Sequence, residues 1–193
     1  SSINHTLGAD VENLVLAGTK SLSGTGNSLG NVLTGNSGNN VLTGNAGNDT
    51  LDGQGGNDTL KGGSGNDTYV FSRAAGADVV QENDVTAGNT DTALFGLNAL
   101  DLVFTKFGND LQVLLHGSTD TLTLQSWYSG AQYQIEEFRS QDNALLLNSQ
   151  VDQLIQAMAQ FSADHGGISW DQAIDQYAPE VQQVLAANWQ AAG

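Results

Sequence analysis

Five side chains bearing oxygen donors recur at intervals of nine: Asn31, Asn40, Asp49, Asp58 and Asp67. Carboxylates and carboxamides at a fixed interval can converge on a hard cation, which takes an all-oxygen shell of about six ligands. Asn in place of Asp removes a charge but keeps a carbonyl oxygen, so cation affinity is expected to fall from Asp67 toward Asn31. Other constellations fail on inspection. Gly26-Asn27-Ser28-Leu29-Gly30 matches a nucleophile elbow, but it lies in Gly/Ser-rich repeat sequence without the buried strand and following helix the elbow needs. His5, His116 and His165 are isolated and no H-E-x-x-H is present, so a zinc hydrolase site lacks its ligands. The Gly-rich loops lack the Lys-Ser/Thr of a phosphate-binding loop. The expectation is a chain with no catalytic site.

The elements that position these oxygens share the same interval. Gly26–Thr34, Gly35–Thr43, Gly44–Asp52, Gly53–Lys61 and Gly62–Val70 form an uninterrupted series of nonapeptides. Position one is always Gly, and position four is Gly except at Leu29. Such density marks backbone with positive φ or close approach to another group. Position eight is Leu33, Leu42, Leu51, Leu60 and Tyr69. Each unit therefore reads as a Gly-rich turn followed by a strand too short to stand alone. Stacking the units lines up the position-eight side chains as a solenoid core.

Gly62-Gly63-Ser64-Gly65-Asn66-Asp67-Thr68-Tyr69-Val70 fits G-G-x-G-x-D-x-U-x at every defined position, with Tyr69 as the large apolar residue. On these units the chain resembles the RTX, or haemolysin-type calcium-binding, family. The resemblance implies a parallel β-roll in which two units complete a turn and Ca2+ lies between stacked loops. It implies ligands from positions two, four and six of one loop and positions one, three and six of the loop above. One set is then Asn45, Gly47, Asp49, Gly62, Ser64 and Asp67. A second is Asn36, Gly38, Asn40, Gly53, Gly55 and Asp58. A third is Asn27, Leu29, Asn31, Gly44, Ala46 and Asp49. Asp78, in a partial further unit, is a candidate late ligand opposite Asp58.

The formal net charge of −16, from 21 acidic and 5 basic residues, argues against nucleic acid and anionic membranes as partners and favours cations. There is no Cys, no basic-then-apolar secretory leader and no apolar run long enough to span a membrane. The opening at Ser1 inside repeat-like sequence suggests a piece of a larger parent polypeptide.

The expected fold class is mainly β, a parallel β-roll followed by an antiparallel β-rich cap and a helical C-terminus. Residues 1–25 read as weaker solenoid turns or an N-terminal cap, and 26–80 as the roll. Residues 81–148 read as the cap, opening on a polar, solvated loop over 81–91. Residues 149–193 read as a helical segment. The cap resembles the domain that follows RTX repeats in haemolysin-type calcium-binding proteins. Phe107–Leu111, Thr119–Thr123, Trp127-Tyr128 and Gln134–Phe138 carry that resemblance. Trp127 and Tyr128 are read as cap packing, with sugar binding as the alternative.

Helices are expected from Ser149, from Ser169 and at Pro179, the first with the apolar stripe Val151, Leu154, Ile155, Met158 and Phe161. This acidic end resembles an export signal read by type I secretion machinery, with a helical cap or dimer surface as the alternative. The resemblance implies a bacterial protein, secreted or on the cell surface, whose calcium-binding module folds after export. An adhesin, a secreted hydrolase or toxin, and a ligand- or partner-binding module remain open for the parent.

Overall fold

A computed structural model describes residues 1–191; residues 192 and 193 of the expected helical segment lie outside the described residues. The first nine strands are β1 (His5–Thr6), β2 (Asn13–Val15), β3 (Ser23–Thr25), β4 (Val32–Thr34), β5 (Val41–Ala46), β6 (Thr50–Asp52), β7 (Thr59–Ser64), β8 (Thr68–Phe71) and β9 (Ala77–Val80). They alternate between two sheets, odd strands in one and even strands in the other. Every pairing among them is parallel. Val32 pairs with Thr50, Val41 with Thr59 and Thr50 with Thr68, a register of eighteen residues, or two nonapeptides. Loops eighteen apart therefore lie directly over one another.

The cause is the alternation within each short strand. Leu33, Leu42, Leu51, Leu60 and Tyr69 are all fully buried, while the residues beside them face outward or are half-buried. A parallel stack keeps these side chains in line, and their burial supplies the apolar contact that one unit cannot make alone.

The strands that follow are β10 (Thr92–Phe95), β11 (Leu102–Phe107), β12 (Asp110–Leu115), β13 (Thr121–Leu124), β14 (Glu137–Arg139) and β15 (Ala144–Leu147). The pairs β11–β12, β12–β13 and β14–β15 are antiparallel, as alternation around short turns predicts. The junctions with the roll are parallel instead: β13 continues from β9, and β10 lies between β8 and β14. The cap thus extends both sheets of the roll. Its core turns aromatic. Phe95 stacks on Phe138 at 6.5 Å between ring centroids, and Phe104 and Trp127 meet Phe138 at 5.3 and 5.6 Å. Trp127 is buried there, and Tyr128 lies under the Lys106 ammonium and donates its hydroxyl to Asp152 at 2.9 Å.

Three helices follow among the described residues: α1 (Asn148–Asp164), α2 (Trp170–Gln176) and α3 (Ala178–Ala186), before a short β16 (Gln190–Ala191). The first begins one residue before the expected Ser149, because the Gln150 side chain accepts the Leu147 N–H and sets the start. Ser169 and Gln172 cap α2 reciprocally, and Pro179 lies in the first turn of α3. Val151, Leu154, Met158 and Phe161 are buried as one stripe, with Ile155 packed beside it. Trp189 reaches Phe104 at 6.0 Å, so the helical end is packed onto the cap. No helix among the described residues is long and apolar enough to cross a membrane.

Candidate metal centre

The position-six side chains form two buried ladders. In one, Asn31 N–H donates to Asp49 Oδ1 at 2.7 Å, Asp49 N–H to Asp67 Oδ1 at 2.8 Å and Asp67 N–H to Asp91 Oδ1 at 2.8 Å. In the other, Asn40 N–H donates to Asp58 Oδ1 at 2.6 Å and Asp58 N–H to Asp78 Oδ1 at 2.8 Å. Each carboxylate thus spends one oxygen on the turn before it. The second oxygen of Asp49, Asp58 and Asp67 is buried with no hydrogen-bond partner. An orphaned buried carboxylate oxygen is costly, and a proton or a divalent cation can remove that cost.

Position one supplies the rest of the cradle. A Cβ on Gly44 would collide with Asp49 Oδ2 and with the Gly62 carbonyl of the turn above; one on Gly35 would strike the Gly53 carbonyl and Asn40 Oδ1. Only a residue without a side chain leaves these oxygens facing one open space. In the last three units position two also takes positive φ, at 86° in Asn45, 70° in Gln54 and 114° in Gly63.

The sets inferred from the repeat are brought together unequally. Asp49 Oδ2 and the Gly62 carbonyl converge on Gly44, and Asp67 Oδ1 reaches the same loop through the Asp49 N–H. The carbonyls of Asn45 and Gly47 press against Gly63 and Gly65 of the next turn. The Ser64 carbonyl accepts from Gly47 N–H at 2.9 Å. In the second set, Asn40 Oδ1 and the Gly53 carbonyl meet at Gly35, the Gly38 carbonyl backs onto Gly56, and Asp58 Oδ2 is orphaned. Gly55 N–H donates to the Asn36 carbonyl at 3.3 Å.

In the third set, Asn31 Oδ1 and the Gly44 carbonyl meet at Gly26, and the Leu29 carbonyl backs onto Gly47. Ala46 pairs with Ser64 in the β5–β7 ladder. Unlike the Asp rungs, the Asn rungs are satisfied by protein alone. Asn31 Oδ1 accepts Asn27 N–H and its amide reaches Val11 O and Asn27 Oδ1. Asn40 is held the same way by Asn36 N–H, Leu22 O and Asn36 Oδ1. The amide N–H groups occupy acceptors that a cation would otherwise contact.

The electrostatics follow the geometry. Burial pushes Asp58 and Asp67 up to about 6 and Asp78 to about 7, against the opposing backbone hydrogen bond each accepts. Asp49 is raised for the same reason. Asp120 shows the contrast. Burial would raise it too, but donors from Ser118, Ala74 and Gly76 and the Arg73 charge lower it instead. Its oxygens are used within the protein, tying the β12–β13 turn to the roll.

Three features escaped the sequence reading. The segment 81–91 is a loop only partly solvated: residues 83 and 85–88 are exposed, but Glu82, Asp84 and Asp91 are buried, because the segment folds back over the last repeat. Asp84 accepts Gly65 N–H at 3.1 Å, and Thr90 N–H donates to Asn66 Oδ1 at 2.9 Å. Next, position-five Asn residues form a second lattice: Asn57 N–H donates to Asn39 Oδ1 and Asn66 N–H to Asn48 Oδ1, both at 3.0 Å. The recurrence of Asn at 39, 48, 57 and 66 is the signal that marked them. Finally, two of the three His residues are engaged. His116 lies 2.6 Å from Asp171 and 3.3 Å from Asp175, joining α2 to the end of β12, and His165 stacks on Phe161 at 4.0 Å.

Comparison with known families agrees with this geometry. Residues 25–60 and 34–69 match the RTX calcium-binding nonapeptide repeat, which the model holds in 4 copies. Residues 110–147 match the haemolysin-type calcium binding protein related domain, which corresponds to the span from β12 to β15. RTX repeats bind calcium and are typical of secreted bacterial proteins. The chain therefore carries calcium-binding RTX repeats of the haemolysin-type family, followed by that family's related domain.

Proposed function

We propose that this chain is a calcium-dependent folding module, exported by type I secretion and ordered only once it meets extracellular calcium. The orphaned Oδ2 atoms of Asp49, Asp58 and Asp67 carry the reading. Without metal, these buried carboxylates repel one another or must hold protons, and the Gly-rich turns have a large entropy to lose on ordering. A calcium ion between loops removes the repulsion and gains oxygen contacts. At free calcium one hundred times the dissociation constant, each site adds about 2.7 kcal/mol to the folded state. A few sites then decide between an export-competent chain and a folded one.

In this reading the first ion takes Asp49, Asp67 and the carbonyls of Asn45, Gly47, Gly62 and Ser64. A second uses Asp58 with Asn36, Gly38, Asn40, Gly53 and Gly55, and Asp78 follows on the same ladder. The set around Asn27, Leu29, Asn31, Gly44 and Ala46 is the weakest, since its amides already have partners. The module serves a large secreted or surface protein such as an adhesin. Upstream sequence separates this from a hydrolase or toxin, by long extender repeats or by a catalytic motif. Circular dichroism with calcium and with excess chelator tests the coupling. The β signal is expected to disappear on chelation and return with calcium, and a chelated sample that keeps its full signal refutes it.

A further inference from the structure

We propose that the exit of the roll holds a further divalent-cation site, built by Asp67, Glu82 and Asp91 and lying largely outside the nonapeptide pattern. One carboxylate oxygen from each of the three lies within 4.8 Å of the others, and all three residues are buried. Asp67 is 1 % exposed, and its Oδ2 has no hydrogen-bond partner. That oxygen is aimed into the cluster. A Cβ on Gly62 would meet both Asp67 Oδ2 and the Tyr69 hydroxyl, and the Tyr69 hydroxyl is hydrogen-bonded to Glu82 Oε2.

The register explains how the site arises. Thr59 pairs with Val79 and Leu60 with Val80, and Gln81 N–H continues onto Leu60 O. Glu82 therefore arrives two residues after Val80, as Gly62 follows Leu60, and takes the place of position one on the next turn. Asp91 takes position six, since Asp67 N–H donates to its Oδ1. Within the repeats the equivalent oxygens are Asp49 Oδ2, the Gly62 carbonyl and Asp67. At the exit a carboxylate replaces the carbonyl, giving three acidic ligands instead of two. Ligand charge raises affinity for a hard divalent ion.

Among the described residues, no cationic side chain pairs with the cluster: the ion pairs involve only Arg73, His116 and Arg139, none of them with these carboxylates. Asp84 lies outside the cluster, its oxygens taken by Gly65 N–H, Thr86 N–H and the Asn89 amide. Glu82 and Asp91 also accept Asn83 N–H and the Asn89 amide, so the orphaned oxygen in the cluster is that of Asp67. Burial raises Glu82 to about 8 and Asp91 to about 7, so proton sharing is the competing way to keep the cluster intact. Glu136 accepts the Asp91 N–H at 2.8 Å, so an ion here would pin the cap to the last turn of the roll.

The proposal takes its choice of ion from the calcium reading above, but it uses other residues. Native mass spectrometry and calorimetric calcium titration of the whole chain, Glu82→Gln, Asp91→Asn and Asp49→Asn separate the two. Glu82→Gln and Asp91→Asn are expected to bind one ion fewer and to lose the tightest site, by about tenfold or more in affinity. Asp49→Asn is expected to keep that site and weaken a looser one. Unchanged ion count and first-ion affinity in Glu82→Gln would overturn the exit site and leave shared protons. A native chain that takes up no calcium would overturn the wider reading as well. Should the Glu82 and Asp91 variants not fold, Tyr69→Phe with terbium replaces them. Loss of tyrosine-sensitised emission from the first equivalent in Tyr69→Phe, with that emission kept in Asp49→Asn, supports the site, and undiminished emission in Tyr69→Phe overturns it.

Discussion

At the scale of single residues, Gly44 is the sharpest case. Its missing Cβ lets Asp49 Oδ2 and the Gly62 carbonyl face one space. Gly44→Ala is expected to abolish the ion between those loops and lower the calcium-loaded unfolding midpoint, by about 2 kcal/mol or more, the cost of forced overpacking. Urea melts in saturating calcium check this, with Gly26→Ala at the amide-satisfied rung losing less calcium. The position-six oxygens were legible because their spacing is strict. Tyr69 was legible only as an apolar residue. Its hydroxyl has a second task, accepting Gly62 N–H at 2.9 Å just past the last β7–β9 pair, Leu60 with Val80. Nothing in a nonapeptide pattern announces that. Glu82 and Asp91 were hidden for the same reason: the chain between Asp67 and Asp91 spans twenty-four residues, so the period no longer points at the partner.

At the scale of elements, periodicity made the roll, the hairpins and the helical stripe readable, since each depends on local alternation. The handover between roll and cap was not. Antiparallel pairing could be inferred from short turns such as Gly108-Asn109, whereas the parallel pairing of β13 with β9 joins residues more than forty apart in sequence. Long-range contacts fix it, among them Asp120 accepting Ala74 and Gly76 N–H just before β9. The helices illustrate the same dependence. Leu154 on α1 is fully buried against the cap. Leu154→Ala is expected to destabilise the calcium-loaded protein by about 2–5 kcal/mol, read as a shift in urea midpoint. Stoichiometric calcium binding should survive, because the roll's loops are untouched.

At the scale of the whole molecule, protons and calcium compete for the same oxygens. Asp58, Asp67, Asp78, Glu82 and Asp91 are raised by burial to between about 6 and about 8, from ordinary values of 3.8 for Asp and 4.5 for Glu. The metal-free folded chain therefore holds more protons than the unfolded chain between roughly pH 4 and 8, and its stability falls as pH rises through that window. Calcium-depleted protein is expected to regain β signal in circular dichroism on acidification from pH 8 to 5. Calcium affinity should move the opposite way, weakening over the same descent, because binding requires the ionised groups. A metal-free sample equally unfolded at both ends of the window would contradict the first expectation.

The alternation of strands between two sheets has one more consequence. Each sheet ends on its own closing elements, β13 beyond β9 in one and β10 beyond β8 in the other. Inserting one nonapeptide would hand each sheet the wrong lid, whereas inserting eighteen residues restores every match. The length of this molecule is thus quantised: it can grow or shrink by pairs of repeats, never by one.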